Sequence, residues 1–181
     1  MKYALIGCGR ISPNHIVAAQ RNHLDIVALC DMVEYNMQDK IVKFKLTNSV
    51  KCYTDYKEML EKEKPELVAI ATESGKHAQI AIDCMLLGDA NLIIEKPIAL
   101  SLEDADRIIS IAEQKNLKVC ACHQNRFNKS IQKIREAVEM RRFGKMLYGT
   151  AHIRWTRDYE YYSRAKWRGT WEQDGGALMN Q

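Results

Sequence analysis

Through residue 121, short apolar runs alternate with longer segments whose apolar residues recur every three or four positions. The runs read as β-strands at Tyr3–Ile6, Ile26–Cys30, Val50–Tyr53, Leu67–Ala71, Leu92–Ile94 and Lys118–Ala121. The segments between them read as amphipathic helices at about Pro13–Arg21, Glu34–Leu46, Asp55–Lys64, Lys76–Leu87 and Leu102–Lys115. A run such as "LVAIA" at 67–71 has no polar alternation, so both strand faces are buried, which calls for a parallel sheet covered by helices on each side. Helix boundaries carry their own signals. Pro13 suits a first turn, "SLED" at Ser101–Asp104 is a capping box, Ser12 is placed to cap the first helix, and Gly88 stops the fourth. The pattern predicts a doubly wound α/β domain over residues 1–122.

After His123 the rhythm changes. A basic helix at about Lys129–Arg142 leads into "MLYGTAHIRW", where Leu147, Gly149, Ala151 and Ile153 alternate with Tyr148, Thr150, His152 and Arg154. Alternation of that kind predicts an antiparallel sheet with one open face, the start of an incomplete α+β domain over residues 123–181. An open face also predicts self-association, a homo-oligomer formed through this C-terminal sheet.

Composition narrows the class without changing that picture. With 46% hydrophobic and 28% charged residues the chain is that of an ordinary globular protein, and its 181 residues allow one domain or two. No apolar run approaches the ~20 residues that span a bilayer, and the N-terminus lacks the signature of a signal peptide. A cytoplasmic location and no membrane partner are therefore expected. Six cysteines scattered through apolar runs, with no C-x-x-C pair, read as reduced core residues, and no metal site is expected. Charge is uneven. Residues 1–123 carry 15 basic and 17 acidic groups, whereas residues 124–181 carry 12 and 6. Without nucleic-acid-binding motifs, the basic third fits a small anionic substrate better than nucleic acid.

Candidate chemistry begins at "ALIGCGRIS". Gly7-x-Gly9-x-x-Ser12 lies between the first strand and the first helix, with Arg10 and Ile11 inside the turn. Gly7 permits a tight turn, and Gly9 leaves room for a pyrophosphate beside the free N–H groups of a helix N-terminus. Asp31, 24 residues after Gly7, ends the second strand where a carboxylate can accept both ribose hydroxyls. Its charge repels a 2′-phosphate, which favours NAD over NADP. The alternative roles for Asp31 are a solvated acid at the strand end or the cap of the next helix.

A second candidate is "EKP" at 95–97, behind the apolar run Leu92–Ile94. Ligands of such sheets bind at the carboxyl ends of the strands. A lysine held there can hydrogen-bond a reacting hydroxyl and stabilise charge on its oxygen as hydride leaves. The competing reading is a surface ion pair between Glu95 and Lys96, worth about 0–1 kcal/mol.

Taken in order, the glycine turn, Asp31, "TESGKH", "EKPIAL", "HQNRF" and "WRGTWEQDGGALMNQ" resemble the Gfo/Idh/MocA oxidoreductases over essentially the whole chain. The late stretch is most similar to the branch that oxidises C3 of UDP-N-acetylglucosaminuronic acid. The resemblance implies a Rossmann NAD-binding domain in which Lys96 is the catalytic lysine and Glu95 contacts the nicotinamide ribose. It also implies that Thr72, Glu73 and His77 line the cofactor edge, with Gln124, Asn125 and Arg126 near nicotinamide or sugar. Tyr159, Tyr161, Tyr162, Arg164, Trp167 and Arg168 can grip a sugar nucleotide, because Arg pairs with diphosphate or carboxylate and aromatic faces stack on rings. Several of them are equally good oligomer contacts. Asn180 would stand near the substrate. Two other readings stay open: dehydrogenation of a free sugar, inositol or diol, and a non-catalytic NAD-binding or assembly subunit. In the family pattern an essential His follows a few residues after the position of Gln181, so weak or no turnover is expected of these 181 residues.

Overall fold

β-Branched and other apolar residues dominate the strand runs, and six strands form as the pattern requires: β1 (Lys2–Ile6), β2 (Asp25–Cys30), β3 (Lys51–Tyr53), β4 (Leu67–Ile70), β5 (Asn91–Ile94) and β6 (Val119–Ala121). The computed structural model describes residues 1–176. All strand pairs are parallel, in the order β3-β2-β1-β4-β5-β6. Parallel neighbours need crossovers, and these are supplied by α1 (Ser12–Arg21), α2 (Glu34–Lys43), α3 (Tyr56–Glu63), α4 (His77–Gly88) and α5 (Leu102–Gln114).

Strand side chains alternate between two cores, one on each face. On one face Ala4, Ile6, Val68, Ile70, Leu92 and Ile94 pack with Met59 and Leu60 of α3, Met85 of α4 and Ile108 of α5. On the other, Tyr3, Leu5, Leu29 and Ala69 pack with Ile16 of α1 and Met37 of α2. Each fully buried Leu or Ile contributes about 1.5–3 kcal/mol of transfer free energy, so the sheet is rigid where it carries the strand ends.

The helix boundaries repeat the predicted ones with two differences. At α5 the Ser101 hydroxyl accepts from the Asp104 N–H at 3.1 Å, as a capping box should. At α1, however, Ser12 is already helical and wholly buried, Ile11 holds the cap position, and the Ser12 hydroxyl donates to the Gly9 carbonyl at 2.6 Å. At α4 the left-handed stop is Asp89 (φ 48°), one residue beyond Gly88. Gly88 lies close against α3, where a β-carbon would be 3.0 Å from Leu60 Cδ2.

The chain divides into two units. Met1–Cys122 groups with the described residues from Gly169 onward, and His123–Arg168 forms the second. The return of the chain at Gly169 differs from a second domain running unbroken to 181. Gly75 N–H donates to Gln173 O at 3.1 Å within the first unit. The second unit holds α6 (Lys129–Glu139) and α7 (Tyr159–Ser163). The sheet expected at Met146–Trp155 does not form, because no strand among the described residues pairs with that run. A ladder needs a partner, and alternation alone supplies none. Ile134, Val138, Phe143, Met146, Leu147 and Tyr148 line an open recess of about 580 Å³ in this unit.

Candidate functional site

Register lines up the strand ends. Cys30, Ile6, Ile70, Ile94 and Ala121 are partners in successive pairs. The residues that follow, Asp31, Gly7, Ala71, Glu95 and Cys122, therefore emerge in one row at the carboxyl edge. The row is stitched by backbone bonds: Gly7 N–H to Cys30 O at 2.8 Å, Ala71 to Ile6 at 2.8 Å, Glu95 to Ile70 at 2.9 Å and Cys122 to Ile94 at 2.8 Å. Strand order reverses between β1 and β4, and ligands of such sheets bind in the crevice at that point.

Gly7 adopts φ +94°, and a β-carbon on it would sit 2.6 Å from the Ala71 carbonyl carbon. Only glycine fits so tight a turn. Gly9 is the opposite case, since a β-carbon there would meet nothing within 4 Å. No neighbouring protein atom accounts for that glycine, and the N-terminus of α1 beside it could hold a diphosphate. The Asp31 carboxylate accepts the Cys8 N–H at 2.7 Å through one oxygen, and Val33 N–H at 2.9 Å and Asn36 Nδ2 at 3.0 Å through the other. The sugar-binding and helix-capping readings of Asp31 are thus compatible: one oxygen serves the α2 entry, and the other fastens the acid to the glycine turn. Arg10 is exposed and Ile11 half-buried beside that turn. These features fit a dinucleotide, with Gly7 and Gly9 beside its phosphates and Asp31 beside its adenosine ribose.

Glu95 meets His15, a residue that sequence reasoning missed. Oε1 of Glu95 lies 2.9 Å from Nε2 of His15, and the two side chains are only 13% and 9% exposed. Burial alone would push the Glu95 carboxyl up. The hydrogen bond and charge of His15, the Lys96 backbone N–H and the nearby His77 outweigh burial and hold it below its ordinary 4.5. Cys122 completes the group: burial first, then the charge of Glu95 and a hydrogen bond to it, push the thiol up to about 12. One ligand atom from each of His15, Glu95 and Cys122 lies within 4.8 Å of the others, a donor set of the kind zinc uses. Their mutual hydrogen bonds give each a partner without a cation. A motif signal existed for His15, which stands eight residues after Gly7 and on the buried face of α1, but spacing alone did not link it to Glu95.

Lys96 is half-buried, and Glu95 pairs with a histidine from another element, so the surface-pair reading does not describe these residues. On the far side of Lys96, the Pro97 carbonyl lies 2.7 Å from His77 Nδ1, whose Nε2 is 3.1 Å from the Thr72 carbonyl. His77 is 1% exposed, so it is not a solvent-facing first-turn residue, and both ring nitrogens already face the protein. It braces the loops after β4 and β5 against each other. Thr72 and Glu73 are half-buried in the first of those loops.

The remaining predicted residues belong to the second unit. Gln124, Asn125 and Arg126 share an exposed 3-10 turn. Tyr159 is 86% exposed, and Arg164 pairs with Glu160. Arg168 stacks on Tyr161 at 4.6 Å and on Trp167 at 5.6 Å, while Arg157 lies over Trp155 and Tyr161 at 5.3 and 5.2 Å. Arg157, which stacks on the expected Tyr161 at the centre of this cluster, was not predicted. Asn180 lies outside the described residues.

The pattern that defines the Gfo/Idh/MocA group, an oxidoreductase family with an NAD-binding Rossmann fold, matches residues 1–123. The chain belongs to that family. Its cofactor is accordingly NAD, as the glycine turn and Asp31 indicated. Among solved structures it is similar to the WlbA dehydrogenase of Bordetella pertussis in complex with NADH and UDP-GlcNAcA. The two are 34% identical with a TM-score of 0.91, over 100% of this chain and 56% of that one. The WlbA dehydrogenase of Chromobacterium violaceum, also with NADH and UDP-GlcNAcA, is 31% identical with a TM-score of 0.87, over 100% and 52%. Inositol 2-dehydrogenase of Salmonella typhimurium is 28% identical over 81% of this chain and 44% of its own length. The chain thus spans about half the length of these relatives. Among the described residues no helix is long and apolar enough to cross a membrane.

Proposed function

We propose that this chain carries the cofactor half of an NAD-dependent sugar-nucleotide dehydrogenase, oxidising a hydroxyl of a UDP-N-acetyl-hexuronate, at C3 of the sugar. The observation that carries the reading is the row of strand ends, in which Lys96 follows a buried, ionised Glu95 two strands from the glycine turn. Likeness over the whole chain to two dehydrogenases solved with NADH and UDP-GlcNAcA supports the substrate class. The Arg157–Tyr161–Arg168 stack supports it further, since guanidinium groups pair with diphosphate or carboxylate and aromatic faces pack on rings.

Oxidation of a secondary alcohol breaks a C–H bond and an O–H bond. NAD, when bound, takes the hydride with its electron pair. The Lys96 ammonium would hydrogen-bond the hydroxyl oxygen and stabilise the charge on it as the C=O bond forms, while the hydroxyl proton passes to solvent water. Gly7, Gly9 and the α1 N-terminus hold the phosphates, and Asp31 holds the ribose and selects against a 2′-phosphate.

The likeness to an inositol 2-dehydrogenase supports a second reading with the same cofactor and an uncharged polyol. Thermal unfolding of the protein with NAD, NADP, a UDP-N-acetyl-hexuronate and inositol separates the readings. A ligand at 100 times its Kd adds about 2.7 kcal/mol. The proposal expects stabilisation by NAD and a further increment from the UDP-uronate. An increment from inositol instead overturns the sugar-nucleotide reading, and indifference to NAD overturns the whole.

A further inference from the structure

We propose that His15 is a positioning residue for Lys96, acting through Glu95. This rests on the reading above, in which the cofactor lies across the glycine turn and Lys96 faces its nicotinamide half.

A carboxylate at the end of a dry strand is costly to bury, and an apolar residue of the same shape would stabilise the fold as well or better. What Glu95 supplies is direction. Its oxygens collect the imidazole of His15 from α1, the thiol of Cys122 from the end of β6 and the backbone N–H of Lys96. The last bond fixes the peptide plane from which the Lys96 side chain departs. The Pro97 carbonyl on the other side is held by His77 at 2.7 Å. Residue 96 is therefore held on both flanks, and on the Glu95 flank the anchor is a helix, α1, whose N-terminus begins at the glycine turn. The phosphate-binding turn and the reactive amine are fastened to each other by one hydrogen bond between residues 80 positions apart. A slip of α1 moves both together, and the distance from phosphate to amine is conserved.

Two ligands read the two ends separately. ADP reports the adenosine and phosphate contacts alone, and NAD reports these plus the nicotinamide half. In the unaltered protein NAD is expected to bind more tightly than ADP. His15→Leu is expected to leave the ADP Kd within about twofold and to raise the NAD Kd about tenfold, the usual effect of removing a hydrogen bond to a charged group. His15→Gln, whose amide nitrogen can donate from nearly the same point, is expected to bring the NAD Kd back to within about threefold. If His15 acts through Lys96, the His15→Leu penalty falls below about twofold in a Lys96→Met background, as coupled sites require. Equal losses for ADP and NAD, no rescue by glutamine, or an undiminished penalty beside Lys96→Met would each overturn the proposal. NAD binding no better than ADP in the unaltered protein would instead sink the reading on which it rests.

Discussion

The backbone N–H of Cys8 donates to the Asp31 carboxylate at 2.7 Å, so the acid at the end of β2 and the glycine turn after β1 form one unit. Asp31→Asn keeps an acceptor for that N–H and removes the charge. NAD affinity should fall about tenfold, and the preference for NAD over NADP should shrink, because nothing then repels a 2′-phosphate. Titration with the two reduced cofactors, followed by their fluorescence, measures both. An unchanged NAD to NADP ratio would show that Asp31 does not choose the cofactor.

The two glycines of the turn should behave as opposites. Gly7→Ala forces a side chain into φ +94° and to 2.6 Å from the Ala71 carbonyl, so it should destabilise the fold by about 2–5 kcal/mol. Gly9→Ala meets no atom within 4 Å, so its stability should stay within about 0.5 kcal/mol while cofactor binding is lost. Urea unfolding paired with cofactor titration distinguishes a fold glycine from a ligand glycine. A Gly9→Ala protein that binds NAD normally would remove the phosphate from that place.

Period-2 and period-3.6 patterning located all six strands and the five crossover helices, because burial on both sheet faces leaves few places for polar residues. Glycine spacing and a strand-end acid located the turn and Asp31 for the same reason: each needs one residue type at one backbone position. The His15–Glu95–Cys122 group was illegible, since its members are 80 and 27 residues apart and meet only once α1 packs beside the aligned ends of β5 and β6. Alternation at Met146–Trp155 misled, because a strand is defined by its neighbour and that run pairs with none among the described residues. Tyr161 and Arg168 were expected to act together, and Arg157, which completes their stack, escaped for a related cause. A mixed Tyr, Trp and Arg loop shows which chemistry is present, while which cation lies over which ring depends on the turn geometry.

Between α3 and α4, the Tyr56 hydroxyl donates to Asp83 at 2.7 Å, beside Gln79 at 2.9 Å and Lys57 at 3.2 Å. Asp83 is 9% exposed, so each lost donor is felt. Tyr56→Phe should cost about 1–2 kcal/mol, and the melting temperature should drop by roughly 2–8 °C with cofactor affinity unchanged. Calorimetry checks the first and titration the second. A Tyr56→Phe protein as stable as the parent would mean that Gln79 and Lys57 satisfy the carboxylate alone.

Glu95 should also leave a signature in acid. Its folded carboxyl is held below the ordinary 4.5, so the folded state prefers the ionised form more strongly than the unfolded chain does. A depressed carboxyl contributes stability that is fully present above the unfolded value and is lost as pH falls through the folded one. Glu95→Gln abolishes that contribution while other carboxylates, Asp83 among them, titrate equally in both proteins. At neutral pH the glutamine variant should be the less stable. As pH falls below 4.5 the parent should lose stability faster, so that the two curves converge. Urea unfolding at half-unit pH steps gives the difference directly. Curves that stay parallel through the acid limb would mean that His15 and the Lys96 N–H do not favour the ionised carboxylate.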